Sequence, residues 1–124
     1  MIDFQNGGVF KLNQADPSVG TASVQDLLLD DEKVTAAFKG ARDMVVFTTK
    51  RIIAVNVQGM TGKKTDYSSL PYSRIQAFSV ETSGSFDRDS ELEMYFSGLG
   101  KVRLEFGGAV DIKWVARWLA YHSM

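Results

Sequence analysis

Cysteine is absent from the 124 residues, so a disulfide scaffold, a thiolate zinc site and a cysteine nucleophile are excluded. Histidine occurs once, as His122, and no site built on two imidazoles fits in one chain. No apolar run approaches the roughly 20 residues of a membrane span. Residues 1–5 form neither a basic nor an apolar leader, so no secretory signal is expected and a cytoplasmic location is. Neither sign of charge dominates. The 14 Lys and Arg stand against 15 Asp and Glu, and a net charge of −1 gives a general nucleic-acid binder no basic face. What is present, 44% hydrophobic and 23% charged residues, is the make-up of one globular domain over residues 1–124.

The net charge hides an uneven spread. Residues 1–32 hold six acids against Lys11, a balance of −5. Residues 33–74 hold eight cations against Asp43 and Asp66, a balance of +6, and residues 75–124 return to −2. Two readings follow. Each block solvates its own loops, or the basic stretch meets an acidic partner such as the acidic segment of a second copy.

Residues 5–15 read as irregular around the turn Asn6-Gly7-Gly8. Asp16-Pro17 reads as an N-cap followed by the first helical residue. Val24, Leu27 and Leu28 then predict a short helix over about 17–29, left through Asp30-Asp31-Glu32 and closing an N-terminal segment 1–32. Residues 33–107 have the texture of strands. Val34–Phe38, Met44–Thr48 and Ile52–Val57 are rich in side chains that suit a pleated sheet, with a turn at Lys39–Asp43. Lys63–Ser68 reads as a polar edge, and Pro71 sets a corner before the strand Ile75–Val80. Leu92, Met94 and Phe96, then Val102, Leu104 and Phe106, alternate with polar residues as a hairpin with one apolar face. Beyond Gly107-Gly108 the period turns helical. Val110, Trp114, Val115, Trp118 and Leu119 share one face of a capping helix at 109–122, with the two tryptophans expected as core anchors against residues such as Phe47, Phe78 and Phe106. The outline is mainly β with helices: a short N-terminal helix, about seven antiparallel strands and a C-terminal amphipathic helix.

That layout is the layout of a pleckstrin-homology-like barrel, and the wording of the chain is similar to one bacterial PH-domain family, formerly a domain of unknown function. The residues that carry the resemblance are Arg42-Asp43-Met44-Val45-Val46-Phe47-Thr48-Thr49-Lys50-Arg51-Ile52-Ile53, Gly59-Met60-Thr61-Gly62-Lys63-Lys64, Leu70-Pro71-Tyr72-Ser73-Arg74-Ile75, and the stretch from Glu81 to Leu92. The resemblance implies a half-open barrel of two near-orthogonal antiparallel sheets capped by the C-terminal helix. It also implies a homo-oligomer, because members of this family look like ring-forming proteins. It does not imply phosphoinositide binding. The turn that would take that role holds only Lys39, Arg42 and Asp43, and phosphate recognition wants several convergent donors.

Asp87, Asp89 and Glu91 recur at spacing two and project from one side of an extended chain. Ser90 and Leu92 break the calcium-loop pattern, so structural or interface carboxylates are expected there, with Glu81 joining the same face. Lys50-Arg51 and Lys63-Lys64 read either as edge-protecting charges or as salt-bridge donors to the 87–91 carboxylates, within or between subunits. Arg51 is the better donor because its fork matches a carboxylate. Gly59-Met60-Thr61-Gly62-Lys63 lacks the spacing of a phosphate loop and precedes a strand. His122 is expected exposed at a helix end, and no motif links a serine to it. Asp43, Lys50, Arg51, Lys63, Lys64, Glu81, Asp87, Asp89 and Glu91 are therefore the candidate oligomer or partner interface. No catalytic residue, cofactor or metal is called for. The expectation is a non-catalytic assembly module that rings with itself and engages an unidentified protein or an envelope-associated complex. A small-ligand or lipid-headgroup domain is the alternative.

Overall fold

The elements follow one another as β1 (Phe10–Ala15), α1 (Pro17–Val24), β2 (Val34–Lys39), β3 (Asp43–Thr48), β4 (Arg51–Gln58), β5 (Lys64–Pro71), β6 (Ile75–Glu81), β7 (Ser90–Phe96), β8 (Gly100–Phe106) and α2 (Ile112–Ser123). The structure, a computed structural model, describes residues 1–4, 10–58, 64–86 and 88–124. Single 3-10 turns follow α1 (Gln25–Leu27) and join β5 to β6 (Tyr72–Arg74). Lys63, Asp87 and the Gly59–Gly62 loop lie outside the described residues.

Two kinds of apolar pattern build two kinds of sheet. In β7 and β8 every second residue is buried: Leu92, Met94 and Phe96 face inward beside Val102, Leu104 and Phe106. Charged side chains and Tyr95 fill the alternate positions, so that half of the sheet has one face on the core and one toward water. Gly98 and Gly100, at φ of 83° and 94°, occupy the left-handed region that tightens the hairpin turn. In β3 and β4 the burial is continuous instead. Val45, Phe47 and Ile52 enter the main core, while Met44, Val46, Ile53 and Val55 point the other way into a second cluster with Val24. The second cluster is the seat of α1, which Asp16 caps by accepting from the Ser18 N–H at 2.9 Å.

The strand order is β5-β4-β3-β2-β1-β8-β7-β6, with eight strands among the described residues where about seven were expected. The extra one is β1, in the stretch expected to be irregular. Its second half pairs antiparallel with β2 through Asn13, Gln14 and Ala15. Its first half pairs parallel with β8 at the register Lys11↔Glu105 and Leu12↔Phe106. One strand therefore serves two neighbours and joins the β2–β5 half to the β6–β8 half, so the sheet is not purely antiparallel. Phe38 of β2 meets Phe47 and Phe106 edge-on at 5.4 and 5.0 Å, which packs the two halves together. β5 and β6 end the order without pairing to each other. The sheet is open rather than a closed barrel, and α2 packs beside β6 and the 3-10 turn.

The expected helix over 17–29 ends earlier, at Val24, and continues as the 3-10 turn. The close seat of α1 depends on Gly20, where an added Cβ would lie 2.8 Å from Ala37 Cβ and 3.3 Å from methyl carbons of Val34 and Val46. Gly20→Ala should raise intrinsic helix propensity by about 1 kcal/mol, yet it is expected to lower stability by roughly 1–3 kcal/mol because the helix must lift off β2. Urea denaturation reads the sign. A net gain in stability would show that α1 is not seated on that glycine.

Candidate functional site

Three surfaces gather polar or aromatic side chains, and a buried ion pair holds the first in place. Glu32 follows α1 and its 3-10 turn, and its side chain is wholly buried. Arg51, at the start of β4, grips it with both arms: Nε to Oε2 and Nη2 to Oε1, each 2.9 Å. Thr48 Oγ1 donates to Oε2 at 2.6 Å and the Leu29 N–H donates to Oε1 at 3.1 Å. Burial works against the charge of Glu32, but the bonds from Arg51, Thr48 and Leu29 outweigh it and hold the carboxyl below the usual carboxylate range. The rest of the guanidinium donates to the Leu27 carbonyl (2.8 Å) and Ser69 Oγ (2.9 Å).

The second surface is α2. Ile112, Val115 and Leu119 are its buried ridge. Trp114 and Trp118, expected as core anchors, pack against the main core from the flank and are half-buried there. Trp114 lies 6.2 Å from Phe47, and Trp118 Nε1–H donates to Tyr72 Oη at 2.9 Å. The Tyr72 hydroxyl donates in turn to the Thr48 carbonyl at 2.7 Å. Burial is the main reason that the Tyr72 hydroxyl is held above the ordinary tyrosine range. His122 is not the exposed helix-end residue expected: its ring lies 4.1 Å from that of Trp118 and 5.2 Å from that of Tyr72. The outer sides of Trp114 and Trp118 line a groove of about 560 Å³ with Lys113, Arg117 and Tyr121.

The third surface is the outer face of β6–β8. The register places Glu81 opposite Glu91 and Glu91 opposite Glu105, a row of carboxylates across three strands. Arg103 bonds Glu91, and Lys101 lies 3.9 Å from Glu93. A hydrogen bond with Asp89, then burial, raises the Glu105 carboxyl, because two carboxylates side by side favour sharing a proton.

The structure separates the residues that sequence reasoning had grouped. Asp43 accepts from the Asn56 side-chain amide across the β3–β4 pair. Lys50 reaches Asp31 at 3.1 Å. Arg51 is spent on Glu32 inside the subunit, so it does not pair with Asp89 or Glu91 of its own chain. Lys64 is exposed at the head of β5, and Glu81 is exposed at the end of β6. Glu81 stands opposite Glu91, and Asp89 lies beside Glu105 on the same side; Asp87, grouped with Asp89 and Glu91 by its spacing, lies outside the described residues. Glu32 was missed because it stands in an acidic run that reads as solvated. Among the described residues no three His, Asp or Glu side chains gather to hold a metal ion.

An open sheet capped at its corner by an amphipathic helix, carrying polar faces for contact, defines a PH-like domain. The family model for the bacterial PH domain matches residues 3–123, and the chain belongs to that family. YjqA, an uncharacterised protein of Bacillus subtilis strain 168, is 55% identical over 85 residues, 65% of this chain and 68% of that protein. The crystal structure of a DUF1696-family protein with a pleckstrin-homology domain from Shewanella loihica PV-4 superposes with a TM-score of 0.81. That match is 34% identical and covers 95% of this chain and all of the other. A pleckstrin homology domain from Shewanella amazonensis SB2B is 37% identical with a TM-score of 0.68, covering 89% and 90%. None of these names states a catalytic activity. Among the described residues no helix is long and apolar enough to cross a membrane.

Glu32→Gln keeps the shape of the clamp but leaves Arg51 without its counter-charge. A loss of about 3 kcal/mol is expected, read by chemical denaturation at neutral pH. Because the folded carboxyl titrates below its unfolded value of about 4.3, its contribution is complete above that pH and is lost as pH falls through the folded value. The parent should therefore lose stability on acidification more steeply than the variant. Parallel pH profiles would show that Glu32 is not the titrating clamp.

Proposed function

We propose that the chain is a non-catalytic binding and assembly module: a bacterial PH-like domain that self-associates head to tail in a ring and presents that ring to a protein or an envelope-associated complex. The observation that carries the reading is the acidic row Glu81–Glu91–Glu105 beside β6, an edge strand that ends the sheet order. The other edge, β5, begins with exposed Lys64. β5 and β6 meet at the Tyr72–Arg74 corner, so Lys64 and Glu81 sit at the far end of each edge from that corner. Two different edges with opposite charge at their ends suit a heterologous contact, the kind that closes rings by rotation. Lys64 on one edge and the row Glu81–Glu91–Glu105 on the other supply the complementary charges, while Lys50 and Arg51 of the basic stretch are paired within the subunit.

A second reading, a small-ligand or lipid-headgroup domain, is favoured by a cavity of about 330 Å³ between β1, β2 and α2, lined by Gln14, Thr35, Phe38 and Trp114 among others. Light scattering and thermal shift separate the two. Assembly predicts a mass above the monomer at tens of micromolar that falls as salt rises. Glu81→Lys is expected to lower that mass without lowering the melting temperature, since neither Glu81 nor Lys64 is part of a salt bridge among the described residues. Adding Lys64→Glu should partly restore it. A parent chain that stays monomeric while headgroups raise its melting temperature would move the second reading ahead.

A further inference from the structure

The N-terminus of α2 faces a pocket that the assembly reading does not use. We infer that this pocket is a binding site for a small oxyanion, a phosphoryl group in the first instance. The cavity measures about 320 Å³, and Thr82, Ser83, Arg88, Ser90, Gly108 and Lys113 are among its walls. Its position follows from the topology. β6 ends at Glu81 and β7 begins at Ser90, so both strand ends open on the same side as the 107–111 segment that leads from β8 into α2. Gly108 lies against the 88–90 segment so closely that an added Cβ would come within 3.2 Å of both Arg88 Cβ and the Arg88 carbonyl oxygen. That contact fixes Arg88 beside the entry to the helix.

Two independent observations converge on an anion. The first turn of the 12-residue helix α2 leaves N–H groups without intrahelical acceptors, and they carry the positive end of the helix dipole. Asp111 satisfies one of them, the N–H of Trp114, at 3.2 Å. Ile112 and Lys113 supply the other N–H groups of that first turn, and both residues border the cavity. The second observation is Ser90. The residue is only 4% exposed, and its Oγ has no hydrogen-bond partner among the described residues. A buried hydroxyl without a partner is rare in folded proteins and calls for an explanation such as a ligand. A phosphoryl oxygen accepts from a serine hydroxyl, from helix N–H groups and from a guanidinium together. Asp111 also borders the cavity, but Arg88 and Lys113 leave the site with a charge of +1 before the helix dipole is added. The Lys39–Asp43 turn has the same count of charges without a helix terminus or a buried hydroxyl, and it carries no such site.

The inference is independent of self-association and is tested on the full chain labelled with nitrogen-15. Inorganic phosphate is titrated at constant ionic strength, with chloride as the balancing anion. The amide resonances of Ile112 and Lys113 are expected to move saturably. Arg88→Gln should weaken phosphate binding about tenfold, the loss of one charge-assisted hydrogen bond. Ser90→Ala should weaken it less, and Lys39→Gln, on the distant β2–β3 turn, not at all. A second arm distinguishes a free anion from a lipid headgroup by sedimenting the protein with phosphatidylcholine vesicles with and without phosphatidic acid. Phosphate binding with no vesicle retention assigns the site to a soluble oxyanion. Retention on phosphatidic acid that Arg88→Gln abolishes assigns it to a headgroup phosphate. Shifts that chloride reproduces, or an affinity unchanged in both Arg88→Gln and Ser90→Ala, would overturn the site.

Discussion

The buried carboxylate of Glu32 is the constraint on which the rest of the fold depends. A carboxylate with no exposure to water persists only if it is paired and fully hydrogen-bonded, and Arg51, Thr48 and Leu29 meet that demand together. Meeting it joins parts of the chain that local structure leaves separate. The exit of α1 is drawn onto the β3–β4 turn, and the same guanidinium reaches β5 through Ser69. Thr48 then extends the connection through its backbone carbonyl to Tyr72 at the β5–β6 corner, and Tyr72 to Trp118 on the capping helix. N-terminal segment, sheet corner and C-terminal helix thus share one polar thread.

That thread explains why the molecule has two unlike sides. With the 25–32 segment clamped, α1 covers the outer face of β2–β4, and both faces of those strands are removed from water. Among the described residues nothing comparable covers β6–β8, whose outer face keeps Glu81, Glu91, Glu93 and Glu105. The covered side holds the fold together, and the bare side is where the charge remains. The α2 N-terminus lies where the two sides meet, beside the loose ends of β6 and β7, so a site there draws on rigid elements without disturbing either core.

Much of this was legible in the chain because it rests on local periodicity. Alternation of period two in Leu92–Phe106, the Asp16-Pro17 cap, the Pro71 corner and the helical stripe after Gly108 each needs only neighbours in sequence. Grouping Asp87, Asp89 and Glu91 was equally a matter of counting by twos, whereas Glu81 comes opposite Glu91 only through the β6–β7 pairing. The misplacements share a cause. β1 reads as irregular since its polar–apolar pattern is short, and its strand form comes from pairing with residues 37–39 on one side and 104–106 on the other. The stripe on α2 is wider than the ridge that the core buries. Ile112, Val115 and Leu119 are covered, and Trp114 and Trp118 are left on the flank.

Local patterns settled a mainly β chain with strands of two textures and one amphipathic helix, and the PH-like arrangement of those elements was carried by the family resemblance of ordered stretches such as 42–53 and 70–75. What they could not settle was the partner of each charge. Arg51 stands 19 positions from Glu32, Tyr72 stands 24 from Thr48, and Trp118 stands 46 from Tyr72. Whether an arginine is an interface donor or a buried clamp depends on which carboxylate the folded backbone brings within about 3 Å. That distance is a property of tertiary packing and is not carried by any local stretch of sequence. The same holds for Ser90 and Arg88, ordinary residues of a polar loop until the turn into α2 sets a helix terminus beside them.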